Sequence, residues 1–239
     1  MTAGLVVTPV LLVFMALFHL QLVFDWAKLV NMRVISGRFK GVALATPKTG
    51  TRPTTDRTKE AIFSHLDSWG VLDGARVLDL FAGTGALGIE ALSRGARELV
   101  AVESSRPAAA LISKTLADLK RNRSWSADLN ARVLVKKAET VAGGFGEPFG
   151  VIFIDPPYAY GTDECNQLLA DLATGDATNE RTVIMLERSI RSDDPAAPEG
   201  WAITERRNYG ETAVFYIEPI AESADTAEQA TEASVVAES

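Results

Sequence analysis

Two short stretches combine residue types and spacing that could do chemistry, Asp79–Gly88 and Asp155–Tyr158. The first contains Gly83-Thr84-Gly85-Ala86-Leu87-Gly88, a literal G-x-G-x-x-G, and Glu103 stands 20 residues beyond Gly83. A glycine turn between a strand and a helix lets the backbone approach a ligand closely, and an acid closing the next strand accepts from ribose hydroxyls. A dinucleotide would rest its pyrophosphate on that turn. S-adenosylmethionine would lay its methionine and ribose there instead, with Asp79 receiving the ammonium and Glu103 the ribose. By itself the glycine loop leaves nicotinamide and S-adenosylmethionine both open.

The second stretch, Asp155-Pro156-Pro157-Tyr158, begins 72 residues after Gly83 and follows the apolar run Val151–Ile154. Methylating an exocyclic amino group of a base is difficult, because the nitrogen lone pair is delocalised into the ring. A site for it must hold the nitrogen in line with the methyl–sulfur bond and accept hydrogen bonds from its N–H groups. The Asp155 carboxylate and the Pro156 carbonyl are suitable acceptors, and Pro156 and Pro157 keep them preorganised. Tyr158 can stack on a base that is flipped out or already unpaired. The bland alternative is a proline turn capping a strand. Its place after a buried strand, in the same domain as the glycine loop, favours the catalytic reading, and a dehydrogenase has no use for this loop.

The elements that must position these residues alternate between strand-like and helix-like segments. Arg76–Leu80 reads as a short buried strand, followed by the glycine turn and a helix through about Arg94. Glu98–Glu103 is the next strand, and Pro107 suits the first turn of a helix to about Lys120. Arg132–Val135, Val151–Ile154 and Thr182–Leu186 read as further strands, and Trp201–Arg206 pairs with Thr212–Ile217 across Asn208-Tyr209-Gly210. The pattern predicts a Rossmann-like α/β fold: a mostly parallel seven-stranded sheet with a C-terminal antiparallel hairpin and ligands at the strand carboxyl ends. Arg33–Lys48 alternates enough for an N-terminal β-hairpin, and Thr55–Leu66 for a helix with Ile62 and Leu66 facing inward.

Composition divides the 239 residues into three regions. Residues 1–31 are apolar, with no charge before Asp25; residues 32–218 hold the alternating elements, including a basic extension over 32–60; residues 219–239 read as a disordered acidic tail. The stretch Leu5–Phe24 is long enough to span a bilayer but lacks a basic n-region and a small-residue cleavage site. It is either an anchor, which would leave the domain on the cytoplasmic side, or a segment upstream of a true start at Met32. The start at Met32 is expected, since the recognisable domain begins there with almost no spacer.

Net charge is −7, yet its distribution is uneven. Arg33, Arg38, Lys40, Lys48, Arg52, Arg57 and Lys59 face one acid, Asp56, whereas the chain from Glu218 onward holds six acids and no base. A basic front suits a polyanion, through phosphate contacts whose strength falls with salt. One cysteine, Cys165, excludes an internal disulfide and suits a reducing compartment, and two histidines, His19 and His65, leave little for a His/Cys metal site, so no metal is expected.

Met32-Arg33-Val34-Ile35-Ser36-Gly37-Arg38-Phe39-Lys40-Gly41 and Arg52-Pro53-Thr54-Thr55-Asp56-Arg57-Thr58-Lys59-Glu60-Ala61-Ile62-Phe63 resemble the opening of the bacterial 16S rRNA guanine-N2 methyltransferases of the RsmD type. Asp79–Gly85, Asp155–Tyr158 and Tyr209-Gly210-Glu211-Thr212 match in the same order, so the resemblance covers about residues 32–217. It implies a class I S-adenosylmethionine-dependent enzyme that monomethylates a guanine N2 in 16S rRNA, on the 30S subunit or its assembly intermediate, as a cytoplasmic monomer. Implied cofactor contacts are Asp79, Phe81, Ala82, Gly83, Thr84, Gly85, Glu103, Ser104 and Ala138. Implied RNA contacts are Arg33, Arg38, Lys40, Arg52, Thr54, Arg57 and Tyr209. One departure is Lys137, where such enzymes usually carry Asn or Asp before the adenine-contacting alanine.

Rival readings are an amino-methyltransferase of DNA or of another rRNA guanine, a nicotinamide oxidoreductase on the same glycine loop, and an idle RNA-binding or membrane-tethered protein. Raised thermal stability with S-adenosylmethionine but not NADH separates the first from the second, and activity excludes the third.

Overall fold

A computed structural model describes residues 32–45, 56–142 and 144–221. Seven strands form one sheet in the order β3-β2-β1-β4-β5-β7-β6. The strands are β1 (Arg76–Leu80), β2 (Glu98–Val102), β3 (Asn130–Leu134), β4 (Val151–Ile154), β5 (Val183–Ser189), β6 (Trp201–Tyr209) and β7 (Thr212–Pro219). The first five are parallel, and β7 runs antiparallel to both β5 and β6. β7 thus extends one residue past 218, and Ile220 still donates its N–H to the Gly200 carbonyl at 2.8 Å.

Both faces of the sheet are covered, which explains why its central strands read as unbroken apolar runs rather than alternating ones. On one face Val77, Phe153, Met185 and Tyr216 pack against helix α1 (Asp56–Trp69), helix α2 (Ala86–Arg94) and helix α3 (Arg106–Lys120). On the other, Leu78, Leu80, Ile152, Ile154 and Leu186 meet helix α4 (Thr162–Thr174) through Leu168, Leu169 and Leu172. The α3 start is capped as its sequence suggests: Ser105 Oγ accepts from Ala108 N–H, and Pro107 sits in the first turn where no N–H is needed. Helix α4 begins with Glu164 Oε2 accepting from Gly161 N–H at 2.6 Å. In α1, Ile62 and Leu66 are fully buried, as their spacing predicts.

The N-terminal hairpin is tighter than the Arg33–Lys48 span expected. A single bridge, Arg33 to Ala43, is flanked by the bonds Val34 N–H to Val42 O and Leu44 N–H to Met32 O, around a 3-10 turn at Gly37–Phe39. Residues 46–48 lie outside the described residues. The hairpin is short because its backbone bonds elsewhere. Ile35 and Ser36 donate their N–H groups to the Glu90 carboxylate at 2.7 and 2.9 Å, and Phe39 N–H donates to Ser93 Oγ. Arg94 then joins α2 to α1 through Glu60 and Asp67, at 2.6 and 2.7 Å. This lattice holds the start of α1, including Arg57 and Lys59, against the carboxyl ends of the strands.

His65 is a packed residue. It is buried between the rings of Trp69 and Tyr216, with Nε2 2.6 Å from Glu205. Cys165 is buried as well, and burial pushes its thiol up, away from the reactive thiolate. Among the described residues no helix is long and apolar enough to cross a membrane; Leu5–Phe24 and the tail from residue 222 onward lie outside them.

Candidate active site

Strand register brings three carboxyls to one side of the sheet. Asp79 pairs with Phe153, and Phe153 with Met185, so Asp155 and Glu187 each lie two residues further along neighbouring strands. Alternation along a strand then puts Asp79, Asp155 and Glu187 on the same face at its carboxyl end. All three line a cleft of about 1180 Å³, more than one small ligand requires and enough for a cofactor with a second reactant.

The glycine loop forms the cleft's first wall. Asp79 Oδ2 accepts from Gly88 N–H at 2.9 Å, and Glu103 accepts from Gly83 N–H at 2.8 Å and Ser105 N–H at 2.6 Å. Each carboxylate oxygen has further lone pairs, so Glu103 can brace the turn and still meet a ribose hydroxyl. Phe81 holds φ +61°, the sole non-glycine residue at positive φ among those described, and its ring meets Tyr160 edge-on at 5.0 Å. Such backbone strain needs surrounding packing to persist and is typical of functional sites.

Burial drives the electrostatics. Desolvation, with Asp155 and Glu103 nearby, outweighs the Gly88 hydrogen bond and pushes the Asp79 carboxyl up to about 7. Asp155 faces the open cleft, yet protein surrounds it on most sides, and this desolvation pushes it up to about 6. Glu187 is raised well above the usual carboxylate range by burial and by Asp155 and Asp79. A cationic ligand favours the ionised form of carboxyls raised in this way, and S-adenosylmethionine is cationic at its sulfonium and ammonium. The donor set therefore fits that cofactor better than an anionic pyrophosphate.

Most of the expected residues converge here. Asp79, Phe81, Ala82, Gly83, Thr84, Glu103, Ser104, Ala138, Asp155, Pro156, Pro157, Tyr158, Arg57 and Tyr209 all line the cleft, as does Lys137. Tyr158 is 74% exposed, its ring free to receive a partner. Gly85 stands behind the wall: it opens α2 at φ +74°, and Ile89 and Ile112 fill the space beside its Cα. Arg33, Arg38 and Lys40 lie outside the cleft. Arg33 faces Asp56 at 3.7 Å, and Arg38 Nη1 donates to Ser126 Oγ at 3.0 Å. Arg52 and Thr54 are outside the described residues.

Lys136, Glu187, Arg188 and Ser189, which sequence reasoning did not single out, also line the cleft, as does Lys59 of the basic front. Arg188 ties β5 to the chain beyond the proline loop, donating from Nη1 to the Tyr160 carbonyl at 2.8 Å and from Nη2 to Thr162 Oγ1 at 3.3 Å. The signal that could have found Glu187 and Arg188 is the one that exposed Asp155: charged residues at the carboxyl end of an apolar strand in a parallel sheet.

Known proteins share the sequence and the fold over most of the chain. The family model described as Conserved hypothetical protein 95 matches residues 32–218. Ribosomal RNA small subunit methyltransferase D of Escherichia coli (strain K12) is 35% identical over 185 residues, spanning 77% of this chain and 87% of that one. Its namesake from Haemophilus influenzae is 30% identical over 185 residues, 75% of this chain and 90% of that one. The solved structure of Escherichia coli yhhF superposes with a TM-score of 0.68 at 33% identity, covering 80% of this chain and 99% of that one. Magnesium protoporphyrin IX methyltransferase from Synechocystis PCC 6803, solved with bound SAM, shares the fold alone, with a TM-score of 0.53 at 13% identity over 72% of this chain and 87% of that one. The fold is the Rossmann-like class I methyltransferase fold.

Proposed function

This chain belongs to the Conserved hypothetical protein 95 family, with the small-subunit rRNA methyltransferases D among its relatives, and from that premise we propose that it methylates the N2 amino group of a guanine in 16S rRNA. The observation that carries the reading is the meeting, in one cleft, of the glycine loop with Glu103 and the Asp155–Tyr158 loop. S-adenosylmethionine, when bound, supplies an electrophilic methyl carbon on a cationic sulfur.

The chain's residues divide the work by strand order. Glu103 and Ser104 after β2, Ala138 after β3 and Phe81–Thr84 after β1 hold the cofactor, with Asp79 facing its ammonium. Asp155 and the Pro156 carbonyl, after β4, accept the two N2 hydrogens and aim the nitrogen at the methyl carbon. Methyl transfer to that nitrogen would leave a surplus N2 proton, which the Asp155 carboxylate is placed to accept and pass to solvent. Tyr158 stacks on the base. Arg57 at the cleft and Arg33, Arg38 and Lys40 beyond it contact phosphates, together with Arg52 and Thr54 of the basic extension, and Tyr209 flanks the base from the β6–β7 turn. The enzyme acts as a cytoplasmic monomer on the 30S subunit or its assembly intermediate.

The test is transfer of labelled methyl from S-adenosylmethionine to 30S subunits lacking the modification, followed by nucleoside mass spectrometry. N2-methylguanosine that vanishes in Asp155→Ala is expected. A different methylated nucleoside, or methylation undiminished in that variant, would overturn the proposal.

A further inference from the structure

Glu187 has no part in the reaction just described, yet it is one of the cleft residues, with Arg188 and Tyr209, that hold a buried polar atom left unpaired. It is 4% exposed, and its Oε1 is buried without a hydrogen-bond partner among the described residues. Buried polar atoms in folded proteins are nearly always paired, because an unpaired one forfeits its water without recompense. An orphan that lines a ligand cleft is therefore a group whose partner arrives with the ligand. The carboxyls here are not arranged as a metal set: no group of three or more His, Cys, Asp or Glu among the described residues could hold a metal ion.

Strand order says which ligand. The cofactor side of the cleft is built on β3, β2 and β1, and β4 with Asp155 comes next; Glu187 lies in the carboxyl-terminal half of β5, one strand further from Glu103. It stands between Asp155 and the β6–β7 turn, on the side where the proposed reading puts the base. The β4–β5 register ends at Ile154 opposite Leu186, so Asp155 and Glu187 are the next residue on each chain, close enough for their charges to interact. They form a row of two acceptors in the cleft. Guanine alone among the standard bases sets a ring N–H beside an exocyclic amino group, a row of donors; adenine and cytosine set a ring acceptor beside theirs.

We propose that Glu187 is the specificity-determining residue for the target base, its free Oε1 accepting the N1–H of guanine while Asp155 and Pro156 hold the N2 amino group. The inference rests on the guanine-N2 reading above. Burial and the neighbouring carboxyls penalise the charge on Glu187 in the free protein, and the N1–H donor favours it in the complex, so the carboxyl is matched to its ligand rather than to the empty cleft.

The test compares 30S particles reconstituted with 16S rRNA carrying either guanine or 2-aminopurine at the position the wild-type enzyme methylates. 2-Aminopurine keeps the amino group and lacks N1–H. The wild-type chain should favour guanine in kcat/KM by about tenfold or more. In Glu187→Leu the preference should collapse to within about threefold of unity, through slower guanine turnover, while Glu187→Gln, which keeps an accepting oxygen, retains a clear preference. Binding of S-adenosylmethionine should be unchanged in both. The Tm of Glu187→Leu should equal or exceed that of wild type, because an unpaired buried carboxyl has been removed. A Glu187→Leu enzyme that still discriminates, or that melts lower and loses the cofactor, overturns the inference and leaves guanine methylation standing. A wild-type enzyme that makes no N2-methylguanosine on guanine particles removes the functional reading itself, and Glu187's role with it.

Discussion

Gly88 donates its backbone N–H to Asp79 Oδ2 at 2.9 Å, and Leu99 occupies the place where a side chain at Gly88 would stand. The third glycine of the loop therefore has two duties. It lets α2 pack closely on the sheet, and it anchors the carboxyl proposed to face the cofactor's ammonium. A Cβ at this position would lie 2.4 Å from Leu99 Cδ1 and 3.0 Å from Asp79 Oδ2. Gly88→Ala should cost about 1–3 kcal/mol of stability through overpacking. It should also weaken S-adenosylmethionine binding. Calorimetric unfolding and cofactor titration check the two effects separately; full cofactor affinity in a destabilised variant would free Asp79 from the role given to it.

The Asp79 carboxyl, pushed up to about 7, makes cofactor affinity depend on pH. A cationic ligand selects the ionised form, so S-adenosylmethionine should bind more tightly as pH rises from 6 and level off above 7, with proton release that is largest below 7 and fades as pH rises through it. The same shift has the opposite sign for the free protein. Between the unfolded value of 3.8 and the folded values near 6 and 7, Asp155 and Asp79 bind more protons folded than unfolded. Their contribution to stability is therefore greatest at low pH and is lost as pH rises through about 4 to 7. Asp79→Asn should flatten both profiles, gaining Tm relative to wild type at pH 8 and binding the cofactor weakly at every pH. Isothermal titration in buffers of differing protonation enthalpy reads the proton count directly.

Gly37 sits at φ +77°, and a Cβ there would fall 1.9 Å from the Ser93 carbonyl oxygen. Because that obstacle is backbone, trimming Ser93 to Ala cannot relieve it. Gly37→Ala should cost about 2–4 kcal/mol from overpacking and left-handed strain together. The cost should appear first as release of the N-terminal hairpin from α2. Limited trypsinolysis is the measurement: cleavage after Arg38 and Lys40 should accelerate well before the sheet unfolds. Cleavage as slow as in wild type would show that the close approach of Gly37 to Ser93 is not needed to hold the hairpin on α2.

The legible parts of this chain were those whose role is written in local spacing. Gly83, Gly85, Gly88 and Glu103 declare a strand–turn–helix–strand unit, and Asp155–Tyr158 declares its own loop, because neighbours in sequence build both. Helix α4 went unread: Thr162–Thr174 follows the proline loop directly, and its apolar residues point only to the second face of a sheet not yet known to have two covered faces. Glu187 was hidden for a different reason. In the carboxyl-terminal half of β5 it looks like a strand turning polar toward solvent, and only the β4–β5 register sets it beside Asp155. The orphaned Oε1 and the strain at Phe81 are properties of packing, with no local signature at all.

Tyr158 offers the sharpest separation of base capture from folding. At 74% exposure its ring stabilises nothing in the free chain, so Tyr158→Ala should leave Tm and cofactor affinity within error of wild type. Stacking of one base on an aromatic side chain contributes about 1–3 kcal/mol, so loss of the ring should raise KM for the RNA substrate by roughly tenfold to a hundredfold. Tyr158→Phe keeps the ring and should keep most of the affinity. Steady-state kinetics on 30S particles with both variants distinguishes the ring from the hydroxyl: equal losses in the two would assign the contact to the phenolic oxygen and remove stacking from the account of how the base is held.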